Sequence, residues 1–196
     1  VGDLEPETVV KIASETLPRK AGNGNIPRDY GPPEESAAAS SRAECKMEVS
    51  SPLFLAGWKC DVPPKGRYGI RQNLLGDLAF ALLAGDSSPL YARLYEKGLI
   101  NKSFGGAWER MPEGACFICG GESRDPDAVA AEISAERDRI AREGIAPALF
   151  ERIKKALYGS RLRGLNSFEH ICMELCQAYF DGGSYYEFPE LCDRIT

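Results

Sequence analysis

Histidine is almost missing from this sequence: among 196 residues there is one, His170. A Ser-His-Asp arrangement would have to draw its base from that residue, and a hydrolytic zinc would need further ligands that a lone imidazole does not supply. Basic residues are also in deficit. Lys+Arg number 24 against 29 Asp+Glu, giving a net charge of -5 and a pI near 5.1, so no basic footprint exists to attract phosphate backbones or an anionic membrane face. Nucleic acid and membrane are therefore set aside as partners. Long hydrophobic runs are absent too: the longest, from Leu78 to Ala84, falls far short of the roughly 20 residues of a spanning helix. There is no signal-peptide architecture and no initiator methionine. The chain opens on Val1-Gly2-Asp3, which reads as a piece cut from something longer, truncated at an N-terminal strand. The seven cysteines lack regular spacing and are odd in number, as expected of reduced, buried thiols in a cytoplasmic protein rather than a disulfide framework.

What is present points to one globular domain over residues 1–196, with 43% hydrophobic and 27% charged residues. Pro6 in a first helical turn, followed by Val9, Val10, Ile12 and Ala13, predicts a short amphipathic helix. Residues 19–42 shift to Gly, Pro, Ser and Ala without any period and predict an extended surface connection. Glu44, Lys46 and Glu48 alternate with Cys45, Met47 and Val49, the pattern of a half-buried strand with Cys45 facing the core. Leu53 to Cys60 reads as a strand covered on both faces. A buried helix follows over Tyr68 to Ala84, then a short one stopped at Lys97-Gly98. Phe104, Gly106 and Trp108 lie on one strand and Ala115 to Gly120 on the next, with Pro112-Glu113-Gly114 turning between them. Asp125 caps a helix that begins at Pro126 and stops at Gly144. Helices from Pro147, from Ser167 and near Phe188 complete an α+β domain: an antiparallel sheet of about four strands with helices mainly on one face.

The run from Gly85 to Phe104 (GDSSPLYARLYEKGLINKSF) resembles the C-terminal domain of the insulinase-type, pitrilysin-like zinc metallopeptidases, the group that includes the mitochondrial processing peptidase. There the equivalent helix ends in Leu-x-Glu-Lys/Glu-Gly-Leu before a strand. The opening from Gly2 to Glu7, the strand from Val49 to Phe54, and the stretches from Ile153 to Ala156 and from Asn166 to Glu169 agree with it in order and spacing, with a bacterial subgroup the most similar. The resemblance implies the metallohydrolase fold of the processing peptidases. It implies a non-catalytic domain that forms part of a peptide-binding chamber, with zinc held by the N-terminal peptidase domain of the same protein or by a partner subunit. It leaves open an inactive structural or assembly homologue with no zinc site anywhere. Family members place an arginine and a tyrosine in this domain to hold the substrate backbone. The matching positions are Tyr95 and Asn101, and both depart from the pattern.

Asn166-Ser167-Phe168-Glu169-His170 is the inverted zinc motif with asparagine at its first ligand position. The motif works because two histidines four apart share a helical face while the adjacent glutamate acts as general base. Asn166 removes one ligand, and the 26 residues left after His170 are too few for the family's downstream glutamate, so no metal or catalytic residue is expected in this chain. The periodicity of Phe168, Ile171, Cys172, Leu175 and Tyr179 puts His170 on a solvated side. Cys116-Phe117-Ile118-Cys119 has zinc-knuckle spacing, but residues three apart on a strand point to opposite faces. Cys172 and Cys176 share a helical face that is expected to be packed. The charged face of residues 127–142, including Glu132, Glu136, Arg137 and Arg139, reads as a solvated helix face, with a partner-docking face as the alternative.

Overall fold

The computed structural model describes residues 2–17, 29, 31–32, 35–62, 64–111 and 114–196. Proline and cap chemistry start most of the helices. Helix α1 (Pro6–Thr16) begins on Pro6, and α3 (Pro89–Glu96) begins on Pro89, with the Ser88 side chain accepting from the Tyr91 N–H at 3.1 Å. Helix α4 (Pro126–Glu143) is capped by Asp125, whose carboxylate accepts from the Ala128 N–H at 3.0 Å, and it stops at Gly144, where φ is 74°. These are the acceptors and the left-handed turn that helix ends need. Between and after them run α2 (Arg67–Leu83), α5 (Pro147–Gly164), α6 (Phe168–Phe180), a single 3-10 turn (Tyr185–Glu187) and α7 (Phe188–Asp193).

The strands β1 (Leu53–Cys60), β2 (Gly105–Met111) and β3 (Gly114–Glu122) form an antiparallel sheet in the order β1-β3-β2. Leu55 pairs with Gly120 and Trp58 with Phe117, while Trp108 pairs with Phe117 from the other side. This register puts Phe54, Ala56, Trp58, Phe117, Cys119 and Trp108 on one face, and α2, α3 and α4 cover that face. Leu74, Leu78 and Leu82 of α2 meet Ile153, Phe188 and Leu191, while Leu90, Leu94, Phe104, Cys119, Val129 and Ile133 make a second cluster next to the sheet. The domain is α+β with its helices against one sheet face, as expected.

Several local expectations fail. Residues 44–49 form no strand, and Cys45 is exposed rather than facing the core. Among the described residues the sheet therefore has three strands rather than four. Alternation in a sequence says which residues could share a face, but a strand also needs a partner backbone, and no described backbone pairs with this segment. β1 is covered on one face only: Leu53 and Leu55 stand in solvent, Leu55 at 75% exposure. Every apolar residue of α1 lies outside the core. Only Cys119 and Cys192 of the seven thiols are buried; Cys60, Cys116 and Cys172 are half-buried and Cys176 is exposed. Most of the connection expected at 19–42, and Pro112 and Glu113 of the hairpin turn, lie outside the described residues.

Close approach of α2 to β2 explains one glycine. A Cβ at Gly76 would sit 2.3 Å from the Trp108 ring, whose N–H reaches Asn73 Oδ1 at 3.4 Å. Gly76→Ala should therefore destabilise by about 1–3 kcal/mol through overpacking, although alanine is the better helix former by about 1 kcal/mol. A urea midpoint equal to or above that of the parent chain would contradict this.

The charged face of α4 is not simply solvated. Glu136 is 4% exposed and accepts from Arg93 of α3 at 2.8 Å and from Arg139 at 2.7 Å. Hydrogen bonding from Arg139, and then from Arg93, holds its carboxyl below the usual range against the opposing effect of burial. A carboxyl depressed in the folded state contributes stability above its unfolded pKa of about 4.3, lost as pH falls through the folded value. Glu136→Gln should cost about 1.5–3 kcal/mol at neutral pH and flatten the acid limb of the stability curve. Parallel parent and variant curves across that limb would rule the assignment out.

Candidate functional site

Helix α3 ends at Glu96, the backbone reverses at Gly98, where φ is 65°, and the chain turns through Asn101 into β2. The Asn101 side chain closes that turn from both ends: Oδ1 accepts from the Ser103 N–H at 2.8 Å, and Nδ2 donates to Glu122 Oε2 at 2.8 Å. The Glu122 N–H donates in return to Ser103 Oγ at 2.9 Å. This is an Asx-type turn stitched to the end of β3. It lines an open cavity of about 370 Å³ together with Ser51, Gly98, Glu122, Ser123 and Arg124. Tyr95, on the last turn of α3, does not line that cavity. Its ring stacks on Tyr91 at 6.1 Å, and Tyr91 meets Phe104 at 6.0 Å. The two positions thus lie on the same helix-turn unit without converging on one cavity. The cavity's wall has hydrogen-bonding groups and one charge of each sign, and no nucleophile paired with a base. It can hold a polar ligand but offers no machinery for hydrolysis.

The Asn166–His170 segment lies at the junction of α5 and α6. Ser167 caps α6, its hydroxyl accepting from the His170 N–H at 3.2 Å, while Glu169 is exposed. His170 is half-buried rather than solvated, because its ring lies flush against Gly164: a Cβ there would sit 2.3 Å from it. Among the described residues no three His, Cys, Asp or Glu side chains group to hold a metal. An amide at 166, a packed imidazole at 170 and no further donor do not fit a hydrolytic zinc, which takes three protein ligands and an open position.

Cys116 and Cys119 point to opposite sheet faces, as strand geometry requires. Burial pushes the Cys119 thiol up to about 11 and raises those of Cys60, Cys116 and Cys192, so these sulfurs stay protonated and unreactive at neutral pH. The expectation of a packed face for Cys172 and Cys176 fails with α6, which buries none of its residues.

Sequence reasoning missed a polar cluster between α2, α5 and α6. Arg161 reaches Asp77 at 3.1 Å and Glu174 at 2.8 Å, and its guanidinium lies 4.9 Å over the Phe188 ring. Burial pushes the Asp77 carboxyl up, and Arg161 partly offsets that. Nearby, Arg110 of β2 meets Asp181 at 3.0 Å. Arg161, Glu174, Asp181 and Phe188 line a cavity of about 110 Å³. No motif signals it, since Arg161 and Asp77 are 84 positions apart.

Residues 1–157 match the family described as the peptidase M16 inactive domain. A zinc protease of Bacillus subtilis, YmfH, is 30% identical over all of this chain, which spans 46% of it. A protease structure from Helicobacter pylori superimposes on 98% of the chain with a TM-score of 0.77 at 18% identity, and the chain spans 47% of it. The inactive peptidase domain of a zinc protease from Bordetella parapertussis superimposes on 77% of the chain and 81% of its own length, with a TM-score of 0.60 at 16% identity. The last two likenesses concern the fold.

Proposed function

Because this chain belongs to the peptidase M16 family as its inactive, C-terminal domain, we propose that it forms one wall of a peptide-holding chamber. Zinc, its ligands and the general base come from an N-terminal peptidase domain of the same protein or from a partner subunit. The chain spans about half the length of the curated relative it matches, which leaves room for such a domain. The observation that carries the reading is the donor set at Asn166–His170, where the inverted motif keeps its glutamate and one histidine but cannot complete a metal site.

The domain's role is then binding and shape rather than chemistry. Remote contacts to substrate hold it in register with a reacting centre supplied elsewhere. Tyr95 and Asn101 are the candidate contact positions on the wall: Tyr95 has a half-exposed ring, and Asn101 sits in the open cavity at the end of β3. The parent protein acts on peptides and works in the cytoplasm. Seven cysteines without regular spacing suit a reducing compartment.

Removing this chain from the two-domain protein tests the proposal. The peptidase domain alone should keep its zinc while its KM for a peptide rises about tenfold or more, the signature of lost uniform binding. An unchanged KM would remove the chamber wall from the account and leave only an assembly role.

A further inference from the structure

Helix α6 is out of keeping with its surroundings. Phe168, Met173, Cys176, Tyr179 and Phe180 fall within one arc of the helix at 3.6 residues per turn, and all are exposed, Tyr179 at 78% and Phe180 at 73%. Glu169 is the one charged residue within the arc. The opposite side rests on the domain through half-buried Ile171, Leu175 and Ala178 and is pinned by polar contacts: Arg161 to Glu174, and Gln177 to Asp181. A helix apolar on its solvent side is the mark of a missing neighbour.

We propose that this arc of α6 is the seat of the zinc-bearing peptidase domain, a surface assignment that rests on the two-domain reading above. Length argues for that occupant. The chain is almost wholly accounted for in the Helicobacter structure yet spans 47% of it, so a body of similar size is tethered to the equivalent part of that protein and is available to cover one of its faces. Area argues the same way. The three aromatics of the arc carry on the order of 400 Å² of surface, below the roughly 800 Å² per partner of a stable complex between separate chains. For a tethered domain, held at millimolar effective concentration, that area is enough. Charge excludes a lipid surface: the polar side of α6 holds Glu174, His170 and Gln177 and no lysine or arginine, the reverse of an interfacial membrane helix.

Native Cys176 lies inside the arc and reports on it. In the two-domain protein, maleimide labelling read by peptide mass should find Cys176 protected. Tyr179→Asp combined with Phe180→Asp should speed its labelling by about tenfold or more, while buried Cys119 and Cys192 stay unlabelled as proof of an intact fold. Zinc content should be the same in both proteins. Equal, rapid labelling of Cys176 in the zinc-loaded parent and in the variant would overturn the assignment and leave the proposed function standing. Protection that disappears on dilution would also overturn it, in favour of a second copy. A two-domain protein that holds no zinc would sink the functional reading and this inference together.

Discussion

Arg110→Ala is expected to lower the unfolding free energy by about 3–5 kcal/mol, the cost of leaving one member of a buried ion pair uncompensated. The Arg110 side chain is 14% exposed and that of Asp181 12%, and their charged atoms stand 3.0 Å apart. With the guanidinium gone, the Asp181 carboxylate keeps one side-chain donor, Gln177 Nε2 at 3.1 Å. The damage would spread because Asp181 is a junction: it ends α6, and its backbone carbonyl accepts from the Gly66 N–H at 2.6 Å just before α2 begins. Arg110 brings β2 into the same knot. In a domain of this size each kcal/mol lowers Tm by about 2–4 °C, so the loss should be plain in a thermal scan. Replacing both partners, Arg110→Met with Asp181→Leu, should recover most of it, since an apolar pair of similar volume carries no stranded charge. If the double variant is as unstable as the single one, the cause is lost packing rather than an orphaned carboxylate.

How much of this was readable beforehand depends on how far each signal reaches along the chain. Local punctuation was legible: Ser88 and Pro89 start α3, and Asp125, Pro126 and Gly144 bracket α4, because caps and stops act within one turn. The alternation at 44–49 predicts a strand that does not form, since a strand needs a partner backbone that alternation cannot reveal. Leu53 and Leu55 misled for a related reason: an apolar residue on β1 looks the same whether its face is covered by this chain or awaits something else. Glu136 hid among the charges of α4, and only contact with Arg93, 43 positions away, shows it to be buried. Tyr95 and Asn101 became candidate positions through resemblance alone. Nothing local announces that Asn101 closes a turn against Glu122, 21 positions on, or that Arg161 sits between Asp77 and Glu174.

The remaining expectation with a large effect concerns metal. Hydrolytic zinc draws on three convergent protein donors and an open position for water. At the one place where the sequence approaches that pattern, Asn166 contributes a neutral amide, Glu169 stands in solvent, and the imidazole of His170 packs against the Gly164 backbone. The cysteines do not make up the deficit. Cys116 and Cys119 face away from each other across the sheet, and the buried Cys119 thiol, pushed up to about 11, gives up its proton only at a cost. Zinc bound weakly at the surface by carboxylates would not survive dialysis against a mild chelator, whereas a catalytic site would.

The most direct measurement is therefore the zinc content of this 196-residue chain after saturation with zinc and such a dialysis, followed by a peptide-cleavage assay on the same sample. The account predicts far less than one zinc per chain, no cleavage, and no change in either on His170→Ala. One tightly held zinc per chain that disappears with His170→Ala, together with metal-dependent cleavage, would contradict it.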